Sequence, residues 1–194
     1  ADVLRIDPPG FEEVGALLGE TTAGKRRAAL DLRIARDRDV FEGLVGRAHV
    51  LVCGYRSDAL DRLGFGATRR ALLNPSLVTV RLDAYGWTGP WTTRRGFDSL
   101  VQMTTGIAAE GRVAKGARQP YPLPAQALDH ATGYLAAAAA WLGLTRLQAH
   151  NEASDVRLSL ARTARFLWEL GTNGDLGPPE ICREAVVPYL GRSN

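Results

Sequence analysis

The sequence predicts an α/β domain, a Rossmann-like and mostly parallel sheet flanked by helices. Short continuous apolar runs such as His49 to Cys53 (HVLVC) and Leu77 to Leu82 recur along the chain, as expected for strands buried on both faces of a parallel sheet. Between them lie stretches with apolar residues at helical spacing and charges on the opposite side, Arg33 to Ala48 above all. The two kinds of segment alternate, which places helices over a parallel sheet and ligands beyond the carboxyl ends of its strands.

Taken in order, Val3 to Ile6 reads as a strand ended by Asp7, Pro8, Pro9 and Gly10, where the fixed φ of proline and the freedom of glycine make a turn. Phe11 to Leu18 reads as a helical turn or two. The basic cluster Lys25, Arg26, Arg27 then runs into a second strand, Ala28 to Leu32. In the helix Arg33 to Ala48, Ile34, Val40, Phe41, Leu44 and Val45 form the apolar face. After the HVLVC strand come Gly54, Tyr55 and Arg56, with Ser57 placed to cap a short helix from Asp58 to Leu63. A further helix, Ala67 to Leu73, stops at Asn74-Pro75. The strand Leu77 to Leu82 leads into the Gly- and aromatic-rich loop Asp83 to Pro90. Arg94 to Asp98 opens a helix to about Thr105, which Gly106 ends. Residues 107 to 124, with Gly111, Gly116 and three prolines from Pro120 on, read as an extended crossing segment. Asn151 to Asp155 reads as a turn, Val156 to Leu160 as a strand and Ala161 to Leu170 as a helix; residues 171–194 form a turn-rich tail.

Composition narrows the function classes. With 194 residues, 45% hydrophobic and 23% charged, the chain suits one globular domain with an appendage and excludes disorder throughout. A net charge of +3, carried mostly by arginine, fits an anionic small ligand and is too weak to argue for nucleic acid. Cys53 and Cys182 lack CxxC spacing and only His49, His130 and His150 accompany them, so neither a disulfide framework nor a metal site is expected, and a reducing cytoplasm is the natural compartment. No signal peptide or membrane-spanning segment is visible. The chain opens without Met, already inside a strand, and so reads as a piece of a longer protein.

The stretch with the most chemical content is Pro122 to Trp141, PLPAQALDHATGYLAAAAAW. A Pro-punctuated loop delivers Asp129 to the start of a helix whose residues Tyr134 to Leu144 carry no charge and read as buried. A carboxylate at that junction meets unpaired backbone N–H groups and the positive end of the helix dipole. It is either an N-cap or a nucleophile.

The segments ADVLRIDPP, GKRRAALDLR, HVLVCGYRSDALDRLGFG, LNPSLVTVRLDAYGWTGPW, RRGFDSLVQMTTG and PLPAQALDHATGYLAAAAAWL, in that order, resemble the family III CoA-transferases, also called CaiB/BaiF. That group includes formyl-CoA transferase, carnitine CoA-transferase and the α-methylacyl-CoA racemases. The resemblance covers residues 1–170 as a segment of the family's large domain, with its first strand and helix and its C-terminal half missing. The ending LSLARTARFLWELG looks like that of the second unit of a tandem.

The resemblance implies that Asp129, with Gly133 in a D-x-x-x-G pattern, is the nucleophile that takes CoA as an aspartyl thioester. It places Gly54, Tyr55 and Arg56 at the CoA pocket, and Lys25 and Arg26 in a basic turn near the nucleotide end. The plainer readings are a solvated charge run for the basic cluster and core packing for Tyr55. Acyl-CoA and a carboxylic acid are the implied substrates, without a metal, and an interlocked homodimer is the implied assembly. Two departures stand out: Gly54 replaces the family's usual Asn, and Phe97 stands where the racemases carry a catalytic His. His130 reads as structural, since neighbouring helical residues face different sides. The expected activity is therefore CoA transfer between carboxylic acids. A non-catalytic CoA-binding or dimerisation unit is the alternative, and racemisation a weaker one.

Overall fold

The computed structural model describes residues 2–12, 14–56 and 58–171. Its five strands are all parallel but lie in two sheets. In the first, β1 (Val3–Asp7) pairs with β2 (Lys25–Ala29), Val3 opposite Lys25 and Asp7 opposite Ala29. In the second, the order is β3 (Val50–Cys53), β4 (Val78–Asp83), β5 (Asp155–Ser159), with Cys53 opposite Arg81 and Asp83 opposite Ser159. The α/β class and the parallel sheet are as the sequence predicts. An apolar cleft of about 430 Å³, lined by Leu4 and Ile6 of β1, Leu51 and Val52 of β3, and Phe41 and Leu60 from the flanking helices, separates the two sheets.

This interruption explains one departure from the expected burial. His49 to Cys53 reads as a strand covered on both faces, yet Val52 is 62% exposed. β3 borders the cleft, and its apolar run is only partly covered. The doubly buried strand is β4, at the middle of its sheet, where Val78, Thr79, Val80 and Arg81 are all buried.

Between the sheets' strands run α1 (Leu18–Thr21), preceded by a 3-10 turn at Gly15–Leu17, α2 (Ala35–Val45), α3 (Ala59–Arg62) and α4 (Ala67–Leu73). Of the expected apolar face of α2, Phe41 and Val45 are buried, whereas Ile34 and Val40 remain exposed. Phe41 meets Phe65 edge-on with ring centroids 4.8 Å apart, and Leu77 completes the cluster. Fully burying a side chain of the size of Phe65 contributes about 2–3 kcal/mol.

β4 leads to α5 (Asp98–Thr104), α6 (Ile107–Ala114), α7 (Ala127–His150) and, after β5, α8 (Leu160–Leu170). The presence of α6 corrects the extended segment expected over residues 107–124. Gly111 suggests a break, but the helix continues through it, and a Cβ there would lie 2.1 Å from the carbonyl oxygen of Tyr121. Gly111 thus marks close packing of the returning chain, which Tyr121 N–H secures by donating to the Ala108 carbonyl at 2.8 Å.

The uncharged stretch of α7 is also not buried all round. Leu128, Thr132 and Gly143 face inward, while Tyr134 and Trp141 are 80% and 76% exposed. α7 ends at Asn151, in the left-handed conformation at φ 57°, and Ser159 caps α8 by accepting the Arg162 N–H. The expected cap Ser57 and the tail residues 172–194, with Cys182, lie outside the described residues.

Candidate functional site

Two contacts fix the direction of α7 against the sheet. Leu128, in its first turn, packs in one cluster with Ala84, just past the carboxyl end of β4. Near its other end, Gly143 lies against Val78, where β4 begins. The helix therefore runs antiparallel to β4 and brings its N-terminus to the carboxyl edge of the sheet, where α/β domains bind ligands.

Asp129 is the third residue of α7 and not its cap. The cap position belongs to Gln126, which makes no side-chain capping bond. The Asp129 N–H instead donates to Oδ2 of Asp98, at 2.8 Å, from the first turn of α5. A carboxylate from another helix thus does the capping, and the Asp129 carboxylate itself has no hydrogen-bond partner among the described residues. Although Asp129 is exposed, partial burial first and the nearby Asp98 charge second push its carboxyl above the usual range; His130 pulls weakly the other way. An uncommitted carboxylate of raised basicity at a sheet's carboxyl edge can act as a nucleophile or accept a proton.

Asp98 is fully buried and Gln102, one turn further along α5, is 1% exposed. Gln102 Nε2 donates to Asp98 Oδ1 and, at 3.2 Å, to the Ala125 carbonyl. Its Oε1 accepts the Leu123 N–H at 2.8 Å. Sequence reasoning missed both residues. The available signal was an acid and an amide spaced i, i+4 at the start of a helix, a pattern that surface helices also carry.

Gly54, Tyr55 and Arg56 follow the carboxyl end of β3, the neighbour of β4, and all three are exposed. Tyr55 is only half covered, and burial first, then the Asp7 charge, push its phenol up. A Cβ on Gly54 would meet nothing within 4 Å, so the missing Asn side chain leaves open space. Beneath this edge, buried Arg81 pairs bidentately with Asp155 at 2.8 and 2.9 Å and stacks on Trp87, while buried Arg70 approaches Asp155 at 3.4 Å.

Lys25 and Arg26 stand in the first two positions of β2, not in a turn. Lys25 Nζ donates to the Thr21 carbonyl at 2.6 Å and Arg26 pairs with Asp2 at 2.6 Å. They lie at the opposite end of β2 from the residue paired with Asp7, and Asp7 is the group felt by Tyr55. The structure does not gather them with Gly54, Tyr55 and Arg56. Phe97 is 75% exposed and precedes Asp98 without a titratable group. Among the described residues no three His, Cys, Asp or Glu cluster to hold a metal, and no helix is long and apolar enough to cross a membrane.

The chain is 31% identical over 118 residues to the acetyl-CoA:oxalate CoA-transferase of Acetobacter aceti, covering 55% of this chain and 30% of that protein. It is 25% identical over 173 residues to a probable fatty acyl-CoA transferase of Mycobacterium tuberculosis, covering 82% of this chain and 43% of the relative. A crystal structure of the latter protein superposes with a TM-score of 0.76 at 26% identity, over 87% of this chain and 48% of that one. The human α-methylacyl-CoA racemase is 29% identical over 121 residues, 62% of this chain and 30% of the racemase. The chain thus spans less than half the length of these curated relatives. The sequence profile described as CoA-transferase family III matches residues 1–174. With that match and the shared fold, the chain belongs to CoA-transferase family III.

Proposed function

We propose that this chain carries the nucleophile and part of the CoA pocket of a CoA-transferase that moves CoA between carboxylic acids. The observation that supports this best is the Asp129 carboxylate, without a hydrogen-bond partner among the described residues at the start of α7 while Asp98 takes over the capping of its N–H. Asp129 attacks the carbonyl carbon of the acyl-CoA thioester, and the C–S bond breaks to give a mixed anhydride and CoA thiolate. The thiolate attacks the Asp129 side of the anhydride, forming an aspartyl-CoA thioester and freeing the donor carboxylate. The acceptor carboxylate then attacks this thioester and expels the thiolate, which returns to the acceptor's acyl carbon and restores Asp129. No proton or electron is gained or lost across the cycle.

Gly54, Tyr55 and Arg56, exposed at the carboxyl end of β3, are proposed to contact CoA. Lys25 and Arg26 would meet its nucleotide end only by exchanging the partners they hold, Thr21 and Asp2. The exposed apolar residues Tyr134, Trp141 and Leu142 of α7 support the proposal that the protein works as a homodimer. Incubation with a panel of acyl-CoAs, followed by hydroxylamine trapping and peptide mass mapping, tests the reading: a mass change at Asp129 is expected, and its absence from wild type under turnover conditions sinks it.

A second reading is a non-catalytic unit that binds CoA and supports an active partner. The open space at Gly54 favours it. CoA binding by calorimetry without covalent capture distinguishes it. Racemisation lacks a base at Phe97, and deuterium exchange at the α-carbon of a branched acyl-CoA tests it.

A further inference from the structure

Asp98 has no Lys or Arg partner among the described residues, although it is fully buried. Burying an ionised carboxylate on hydrogen bonds alone is costly, and a neutral Asn or Ser can accept a backbone N–H as well. A charge kept at such a cost calls for an account beyond capping. Asp98 and Gln102 together hold backbone groups of Leu123, Ala125 and Asp129, so one turn of α5 fixes the loop that enters α7. Pro122 and Pro124 lack N–H groups, and the loop therefore has few other ways to tie itself down.

We infer that Asp98 is a positioning residue that aims Asp129 through its backbone N–H and, by its own charge, biases Asp129 towards the acylated state. This rests on Asp129 being the nucleophile. The bias follows from charge counting: two carboxylates in one site repel, and converting Asp129 to a neutral anhydride or thioester removes one of them. Asp98 itself forms no bond to substrate. Among the described residues, Asp98 from α5 and His130 from α7 are the two titratable groups that act on Asp129; β4, β5 and α8, which also pack on α7, contribute none.

The test compares wild type with Asp98→Asn, which keeps an oxygen to accept the Asp129 N–H and loses the charge. Two readouts are taken: the Asp129 carboxyl titration by carbon NMR, and the rate of adduct formation at Asp129 with acetyl-CoA as probe. In the variant the titration midpoint is expected to fall, and adduct formation to slow by about tenfold to a hundredfold at unchanged CoA affinity. A role confined to helix capping would leave the midpoint where it is, and that result overturns the inference even where adducts form. A midpoint that falls in a protein whose wild type forms no adduct overturns the nucleophile reading and the bias with it. Should Asp98→Asn not fold, Asp98→Ser, which also accepts an N–H without a charge, decides by the same readout: a midpoint below that of wild type supports the inference, and an unchanged midpoint overturns it.

Discussion

The Cγ1 atom of Val78 lies 2.5 Å from where a Cβ on Gly143 would stand, so the backbone of α7 rests directly on the Val78 side chain of β4. Val78 is fully buried at the start of the central strand and cannot step aside. This contact and the Leu128–Ala84 contact are what carry Asp129 to the carboxyl edge of the sheet.

Gly143→Ala should therefore destabilise the protein by about 1–3 kcal/mol, since overpacking outweighs the better helix propensity of alanine. Gly133→Ala should do the opposite, because a Cβ there meets nothing within 4 Å and the residue sits inside the same helix. A gain of up to about 1 kcal/mol is expected from propensity alone. Urea denaturation of the two variants, with opposite signs, is the check.

Gly111→Ala should be worse tolerated than a surface helix substitution, because its Cβ would meet the backbone oxygen of Tyr121. The returning strand of loop must move, and with it the segment held by Gln102. A loss of about 2 kcal/mol or more is expected, together with faster amide exchange at Leu123 and Asp129.

Asp129→Asn should abolish adduct formation and yet raise stability at neutral pH. The folded carboxyl titrates above its unfolded counterpart, so the folded state holds the proton more tightly in that window. Stability contributed by the protonated form is complete below the unfolded pKa and lost as pH rises through the folded one. Asn removes that loss. Thermal melts should separate the two proteins near pH 7 and bring them together below about pH 3; equal melting temperatures at both pH values would show that the helix dipole offsets the burial.

Asp155→Ala should cost about 3 kcal/mol, because it leaves the guanidinium groups of buried Arg70 and Arg81 without their carboxylate. Replacing Arg81 by Met in the same chain should recover part of it. A double-mutant cycle in guanidinium denaturation measures the recovery.

The sequence by itself determined the α/β class, the order of strands and helices apart from α6, and the arrival of Asp129 at a helix start, because hydrophobic period and turn residues are local signals. Ala67 to Leu73 is read to the residue. It did not determine α6, since Gly111 reads as a breaker when the Tyr121 oxygen beside it is unknown. Nor did it show that Lys25 and Arg26 stand within a strand, or that Val52 is exposed beside a cleft, which depends on how the two sheets face each other. Tertiary structure alone decided between cap and free carboxylate at Asp129. The deciding group, Asp98, lies 31 residues earlier in the chain, and only packing of α5 against α7 brings its oxygen to the Asp129 N–H. Local patterns are written in neighbouring residues; a hydrogen bond that frees a side chain by satisfying its backbone is written in the fold.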